Sequence, residues 1–282
     1  MEKIAIVTDS TCDLPANLVE EYDIHVLPLR IIYKDREYRD HVEITPEDVY
    51  NRLETEVPTT SLPNPGDVQE LFTKLKEEGY SHVLAIHISS GLSGTSQMIR
   101  HVAQEIQGLM VEVIDSKSIS MGLGYTVLEA AKAIRKNITF EALCDHVHGV
   151  IKRMKVYFVL DTLEYLKKGG RIGKVSATLG QILNVKPIIT VNEEGIYTTF
   201  AKVRGRRRSL EKLIEIAKDH VQQALSNIAV CHGAAPADCG FVAAALEKLE
   251  NVQELIQSHV SPVIGVHTGP GTLGIVIYEA QD

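Results

Sequence analysis

The sequence predicts an α/β protein of two domains, an N-terminal parallel, Rossmann-like α/β domain over 1–150 and a C-terminal mixed-sheet α+β domain over 151–282. Three observations carry that prediction. A chain of 282 residues is long for one α/β layer stack and ample for two lobes that share a cleft. Its first half alternates short β-rich apolar runs with amphipathic stretches, the pattern of a parallel sheet covered by helices. Its second half changes character near residue 150, where strands outnumber helices and a hairpin signal appears.

In the first half, apolar runs at 3–8, 24–33, 82–88 and 111–114 predict strands. Thr45-Pro46-Glu47-Asp48 and Asn64-Pro65-Gly66-Asp67 each set a capping residue before a proline, with acids in the first turn, and predict helices over 46–54 and 65–78. Helical periodicity continues at 96–106, 118–134 and 139–154. A strand at 156–160 opens the second domain, followed by a hairpin of 186–191 and 195–203 around Asn192-Glu193-Glu194-Gly195. Strands at 227–231, 252–259, 263–266 and 273–278 and helices at 207–224 and 236–248 complete it. With no internal repeat and no long linker, the lobes are expected to pack closely.

Composition narrows the function. Hydrophobic residues make up 44% and charged residues 23%, enough for a sizeable core. A net charge of −8 disfavours a general attraction to nucleic acid, and the lack of tryptophan removes a natural stacking platform for single strands. Cys12, Cys144, Cys231 and Cys239 form no Cys-x-x-Cys pair, and His146 and His148 lack neighbours to complete a zinc set, so no metal is expected. Scattered thiols fit a reducing cytoplasm. No apolar run approaches the roughly 20 residues that span a bilayer, so neither a signal peptide nor integral membrane association is expected.

Several motifs fail on inspection. Gly269-Pro270-Gly271 and Gly274 spell a dinucleotide fingerprint, but a strand follows where a helix is required. Gly173-Lys174 lacks the hydroxyl that completes a P-loop. Gly91, Ser93 and Thr95 miss the nucleophile elbow by their last position.

Three polar segments remain as places where one anion can be held. Pro58-Thr59-Thr60-Ser61 precedes a proline-opened helix. Ser89-Ser90-Gly91-Leu92-Ser93-Gly94 follows a strand at its C-terminal end, where open α/β sheets bind ligands. His267-Thr268 ends the predicted strand 263–266 and offers a tunable proton donor. Taken singly, hydroxyls before helices are usually caps. Lys167, Lys168, Arg171 and Lys174, with Lys202, Arg204, Arg206, Arg207 and Arg208, concentrate nine of 29 basic residues in two short stretches, a contrast that favours a phosphate or an acidic partner surface.

Ile4 to Thr11, Pro58 to Ser61, Ser89 to Gly94, Asp115-Ser116, Gly170-Arg171-Ile172 and His267 to Gly271 together, in this order, resemble the DegV family across essentially the whole chain. The resemblance implies a long-chain, palmitate-like fatty acid buried between the lobes, with no other cofactor. It further implies a non-catalytic carrier that presents the carboxylate to a partner kinase for acyl-phosphate formation, which feeds phospholipid synthesis. By position, Thr60 and Ser93 are the leading carboxylate ligands, Ser61 and Ser90 lie close, His267 completes or orients the network, and Arg171 helps to position it. Arg204, Arg206, Arg207 and Arg208 would serve the kinase or the incoming phosphoryl group. Leu62 stands where the family often has glutamine. The competing reading is a serine-type lipid esterase or thioesterase, with Ser93 or Ser90 as nucleophile, His267 as base and Asp9 or Asp115 as the orienting acid.

Overall fold

A computed structural model describes residues 2–175 and 185–280 of the chain. Four parallel strands, β1 (Ile4–Asp9), β2 (Ile24–Leu27), β6 (His82–His87) and β7 (Met110–Asp115), form one sheet in the order β2-β1-β6-β7. A second, mixed sheet contains β8 (Met154–Val159), β9 (Val185–Val191), β10 (Tyr197–Arg204), β11 (Ser226–Gly233), β12 (Val252–His259) and β13 (Thr272–Glu279), ordered β10-β9-β8-β13-β11-β12. A small antiparallel sheet of β3 (Arg30–Ile32), β4 (Glu37–Arg39) and β5 (Thr59–Ser61) is ordered β4-β3-β5.

Strand alternation builds the layers. On the parallel sheet, Ala5, Val7, Val83 and Ala85 pack with Val68, Phe72 and Leu75 of α3 (Pro65–Glu77) and with Ile99 and Val102 of α4 (Thr95–Ala103). The opposite face, with Ile6, Leu84 and Ile86, shares one core with Val156, Phe158, Ala229, Cys231 and Val276 of the mixed sheet. Between the sheets runs α5 (Met121–Ile134), with 11 of its 14 residues buried, as expected of a helix that is apolar all round. Gly122 lets it approach the second sheet, because a Cβ there would lie 2.7 Å from Val156 Cγ2. α6 (Phe140–Lys152) packs beside α5. The outer face of the mixed sheet, including Tyr157, Val159, Ile228, Val230 and Ile275, is covered by α8 (Arg206–Val221) and α9 (Pro236–Leu246).

A fourth cluster joins the two halves over their edge. Leu29, Ile31 and Tyr33, with Val49 of α2 (Pro46–Arg52), pack on Val263 and Val266 of α10 (Pro262–Thr268). Two further helices are α1 (Ala16–Glu21) and α7 (Glu164–Lys168), the latter in contact with α10 and with Leu166 buried in the core.

Three expectations change. The run 24–33 is two strands in two different sheets, broken at Pro28, which cannot donate to a ladder. Residues 59–61 are not loop but an edge strand, with Thr60 opposite Ile31. Residues 263–266 are not a strand: they lie within α10, where Ser261 Oγ accepts from Ile264 N and Pro262 occupies the first helical position. That capping pattern outranks the strand propensity of Val263, Ile264 and Val266.

Candidate functional site

A cavity of about 200 Å³ opens where the three sheets meet. Its wall takes Thr60, Ser61 and Leu62 from β5 and the turn after it, Leu92 and Ser93 from the loop between β6 and α4, Arg171 from the loop after α7, and Ile264, His267 and Thr268 from α10. Ile119, Tyr197, Ile264 and Thr268 also line a second, smaller void of about 40 Å³, so the two are neighbours along one slot. The inner void is walled by Val156, Phe158, Val260, Gly274 and Val276. Three of its hydroxyls are already engaged: Ser120 donates to Asp13 (2.5 Å), Thr268 to the Ile264 carbonyl (3.0 Å) and Thr272 to the Gly269 carbonyl (2.7 Å). One end of the slot is polar and the other is dry.

At the polar end three hydroxyls have a second group behind them. Thr60 Oγ1 lies 2.8 Å from His267 Nε2. Ser93 Oγ lies 2.8 Å from Thr95 Oγ1 in the first turn of α4. Thr11 Oγ1 donates to the buried Asp9 carboxylate at 2.5 Å. Burial, and secondarily the charge of Arg171, push the His267 imidazole down to about 4, so the ring is neutral near pH 7. Gly169 has no side chain to offer here, since a Cβ would stand 2.1 Å from His267 Nδ1.

Arg171 is held by its own neighbourhood. Its Nη1 donates to the Gly169 carbonyl at 2.7 Å and its Nε to the Leu92 carbonyl at 3.3 Å, and no carboxylate pairs with it among the described residues. A guanidinium on a cavity wall without an acid is electrostatically prepared for an anion.

Of the residues singled out in the sequence, Thr60, Ser61, Ser93, Arg171 and His267 all line this cavity. Ser90 does not: it is exposed, with its N–H on Asp115 Oδ1 (3.1 Å) and its hydroxyl accepting from Lys117 (3.3 Å). Arg206 is half-buried and paired with Asp161 (3.5 Å) and Asp238 (2.7 Å). Arg204, Arg207 and Arg208 are exposed, and Arg207 is engaged by Glu211 at 3.0 Å. Sequence reasoning overlooked Thr11, Ile119, Tyr197 and Ile264 as cavity wall; only Thr11 carried a signal, as a hydroxyl at the C-terminal end of a parallel strand.

Among the described residues the arrangement offers no hydrolytic triad. His267 Nε2 faces Thr60, while Asp9 is bonded to Thr11, His87 and Ile88 and Asp115 to Ser90 and Lys117. Neither acid orients His267. Among the described residues no cluster fits a metal ion and no helix is long and apolar enough to cross a membrane.

The model of the DegV family, described as uncharacterised proteins, matches residues 3–280. A DegV domain-containing protein of Clostridium acetobutylicum is 46% identical over 279 residues, covering 99% of this chain and 100% of the relative. A DegV family protein from Thermus thermophilus, described as fatty acid binding, is 32% identical with a TM-score of 0.93, over 99% of this chain and 100% of that one. A stearic acid-binding protein from Eubacterium ventriosum is 25% identical with a TM-score of 0.90, over 99% and 98% of the two chains.

Proposed function

This chain belongs to the DegV family, and we propose that it binds a long-chain fatty acid along this slot, with the carboxylate at Thr60, Ser93, Arg171 and His267 and the far end of the tail directed at the dry inner void. The observation that carries this reading is the polarity of the slot, in which an acid-free guanidinium and two backed hydroxyls stand at one end and a mostly apolar wall at the other. Each methylene taken out of water contributes about 0.8 kcal/mol, so the tail supplies most of the affinity and the head group supplies orientation. The neutral imidazole matters to that orientation. When Nε2–H donates to Thr60 Oγ1, the Thr60 proton is free for a carboxylate oxygen; the other tautomer would consume it.

The finer reading is a cytoplasmic, non-catalytic carrier that presents the carboxylate to a separate kinase. In that role Arg204, Arg207 and Arg208 form the partner-facing surface, and Arg206, tied to Asp161 and Asp238, holds the start of α8. Phosphoryl transfer needs metal-bound nucleotide, and the sequence holds no complete nucleotide motif. Mass spectrometry of an organic extract of the native protein is expected to find near-stoichiometric fatty acid of palmitate-like length. Thr60→Ala and Ser93→Ala should each weaken palmitate binding by roughly 1–3 kcal/mol. A protein that is empty and refuses added palmitate would refute the reading.

A further inference from the structure

We infer that Asp40, together with Asp13, is a positioning residue for the head-group site, acting by holding the start of α10 so that His267 meets Thr60. This rests on the fatty-acid reading for its consequence but on separate observations for its geometry. α10 has only seven residues, too short to be stable or fixed in place by its own hydrogen bonds. Its position is therefore set by the packing of Val263 and Val266 on Leu29, Ile31 and Val49 and by what holds its ends.

At its N-terminus the free N–H groups are all accounted for. Ser261 N donates to Asp13 Oδ1 at 2.8 Å, Val263 N to Asp40 Oδ1 at 3.1 Å and Ile264 N to Ser261 Oγ at 3.3 Å, while Pro262 has none to give. Two of those three acceptors come from the first half of the chain. Both carboxylates are deeply buried, Asp13 at 4% and Asp40 at 1% exposure. The anchorage of the two acids is itself firm: Asp13 accepts from Ser120 Oγ at 2.5 Å, its carbonyl accepts from Ser258 Oγ at 2.5 Å, and Asp40 N donates to the carbonyl of the cavity residue Leu29 at 2.9 Å.

His267 lies four residues beyond Val263, about 6 Å further along the helix axis. The 2.8 Å contact between His267 and Thr60 tolerates only tenths of an ångström, so a shift at the Asp40 end reaches the head-group end. Asp40 does not itself line the cavity, and the bond its side chain makes to a wall residue is the one to Val263 N, so its effect passes through α10.

The test uses the full chain stripped of lipid, with palmitate and hexadecanol as probes that share a tail and differ in the head. Asp40→Ala is expected to weaken palmitate binding about tenfold, the loss of roughly one hydrogen bond's worth of head-group fixation, and to leave hexadecanol within about twofold of the parent. Asp40→Asn keeps an oxygen that accepts from Val263 N and should restore palmitate to within about threefold. Equal weakening of both probes by Asp40→Ala, or no change in either, overturns the inference. A parent protein that binds neither probe refutes the lipid reading alone. In that event the ring 15N and 1H resonances of His267 decide: they should move in Asp40→Ala and stay in Asp40→Asn, and unmoved resonances in both variants overturn the positioning role.

Discussion

The mouth and the inner end of the slot are built on opposite principles. The mouth draws Thr60, Ser93, Arg171 and His267 from four separate segments and fixes each through a specific partner. The inner end takes Val156, Phe158, Gly274 and Val276 from adjacent strands β8 and β13 of one sheet, where ordinary strand alternation aims them inward. Direction is therefore encoded in a few hydrogen bonds and affinity in area. Chemistry at the mouth is sensitive to ångström shifts, whereas the inner end answers to volume.

Three changes sharpen that contrast. The largest effect is expected from filling the inner end. A Cβ on Gly274 would sit 3.3 Å from Phe158 Cβ, and Gly274→Leu should exclude about four methylenes, costing roughly 3 kcal/mol of palmitate affinity. Because octanoate uses the same mouth and less of the slot, the ratio of the two affinities isolates this effect from any loss of stability through overpacking. An unchanged ratio would place the tail elsewhere.

The next effect belongs to the mouth and appears as a pH dependence of stability. His267 is held near 4 in the folded protein by burial and by Arg171, below the usual value of about 6.5. As pH falls through 6.5 the unfolded chain takes up a proton that the folded chain refuses, so stability declines with acid until about pH 4. His267→Gln removes this contribution. Between pH 7 and pH 4.5 the parent should lose roughly 2–3 kcal/mol more stability than the variant in denaturant titrations; parallel profiles would mean that the ring is not buried neutral.

The smallest effect on lipid binding is expected from the outer face. Arg207→Glu with Arg208→Glu should change palmitate affinity by less than about 0.5 kcal/mol, because neither residue lines the slot, while phosphorylation of the bound acid by a cognate kinase should fall sharply. Equal losses in both assays would mean that the substitutions disturb the fold.

Much of this architecture was legible in local signals. Pro46 and Pro65 mark helix starts because a proline after a capping residue acts within one turn, and the same signal at Ser261-Pro262 identifies α10. The β-branched run 263–266 reads as a strand with His267 at its end, whereas His267 lies in the last turn of a helix. The hydroxyl residues of the mouth were visible by type and by position after strands or before helices. Their backing was not. Nothing near Thr60 in sequence announces a histidine 207 positions away, and nothing near Asp40 announces that it accepts from Val263, 223 positions on. Ser90 and Arg206 show the converse, since residue type and neighbourhood fitted a ligand role while Asp115 with Lys117, and Asp161 with Asp238, engage them instead.

The orientation of the acyl chain is the point on which the account turns. A crystal of the protein loaded with 16-bromohexadecanoic acid, measured at the bromine absorption edge, reports it directly. The anomalous peak should fall among Val156, Phe158 and Val276, with carboxylate density beside Thr60 and His267. A bromine peak at Arg171, or outside the slot altogether, would contradict it.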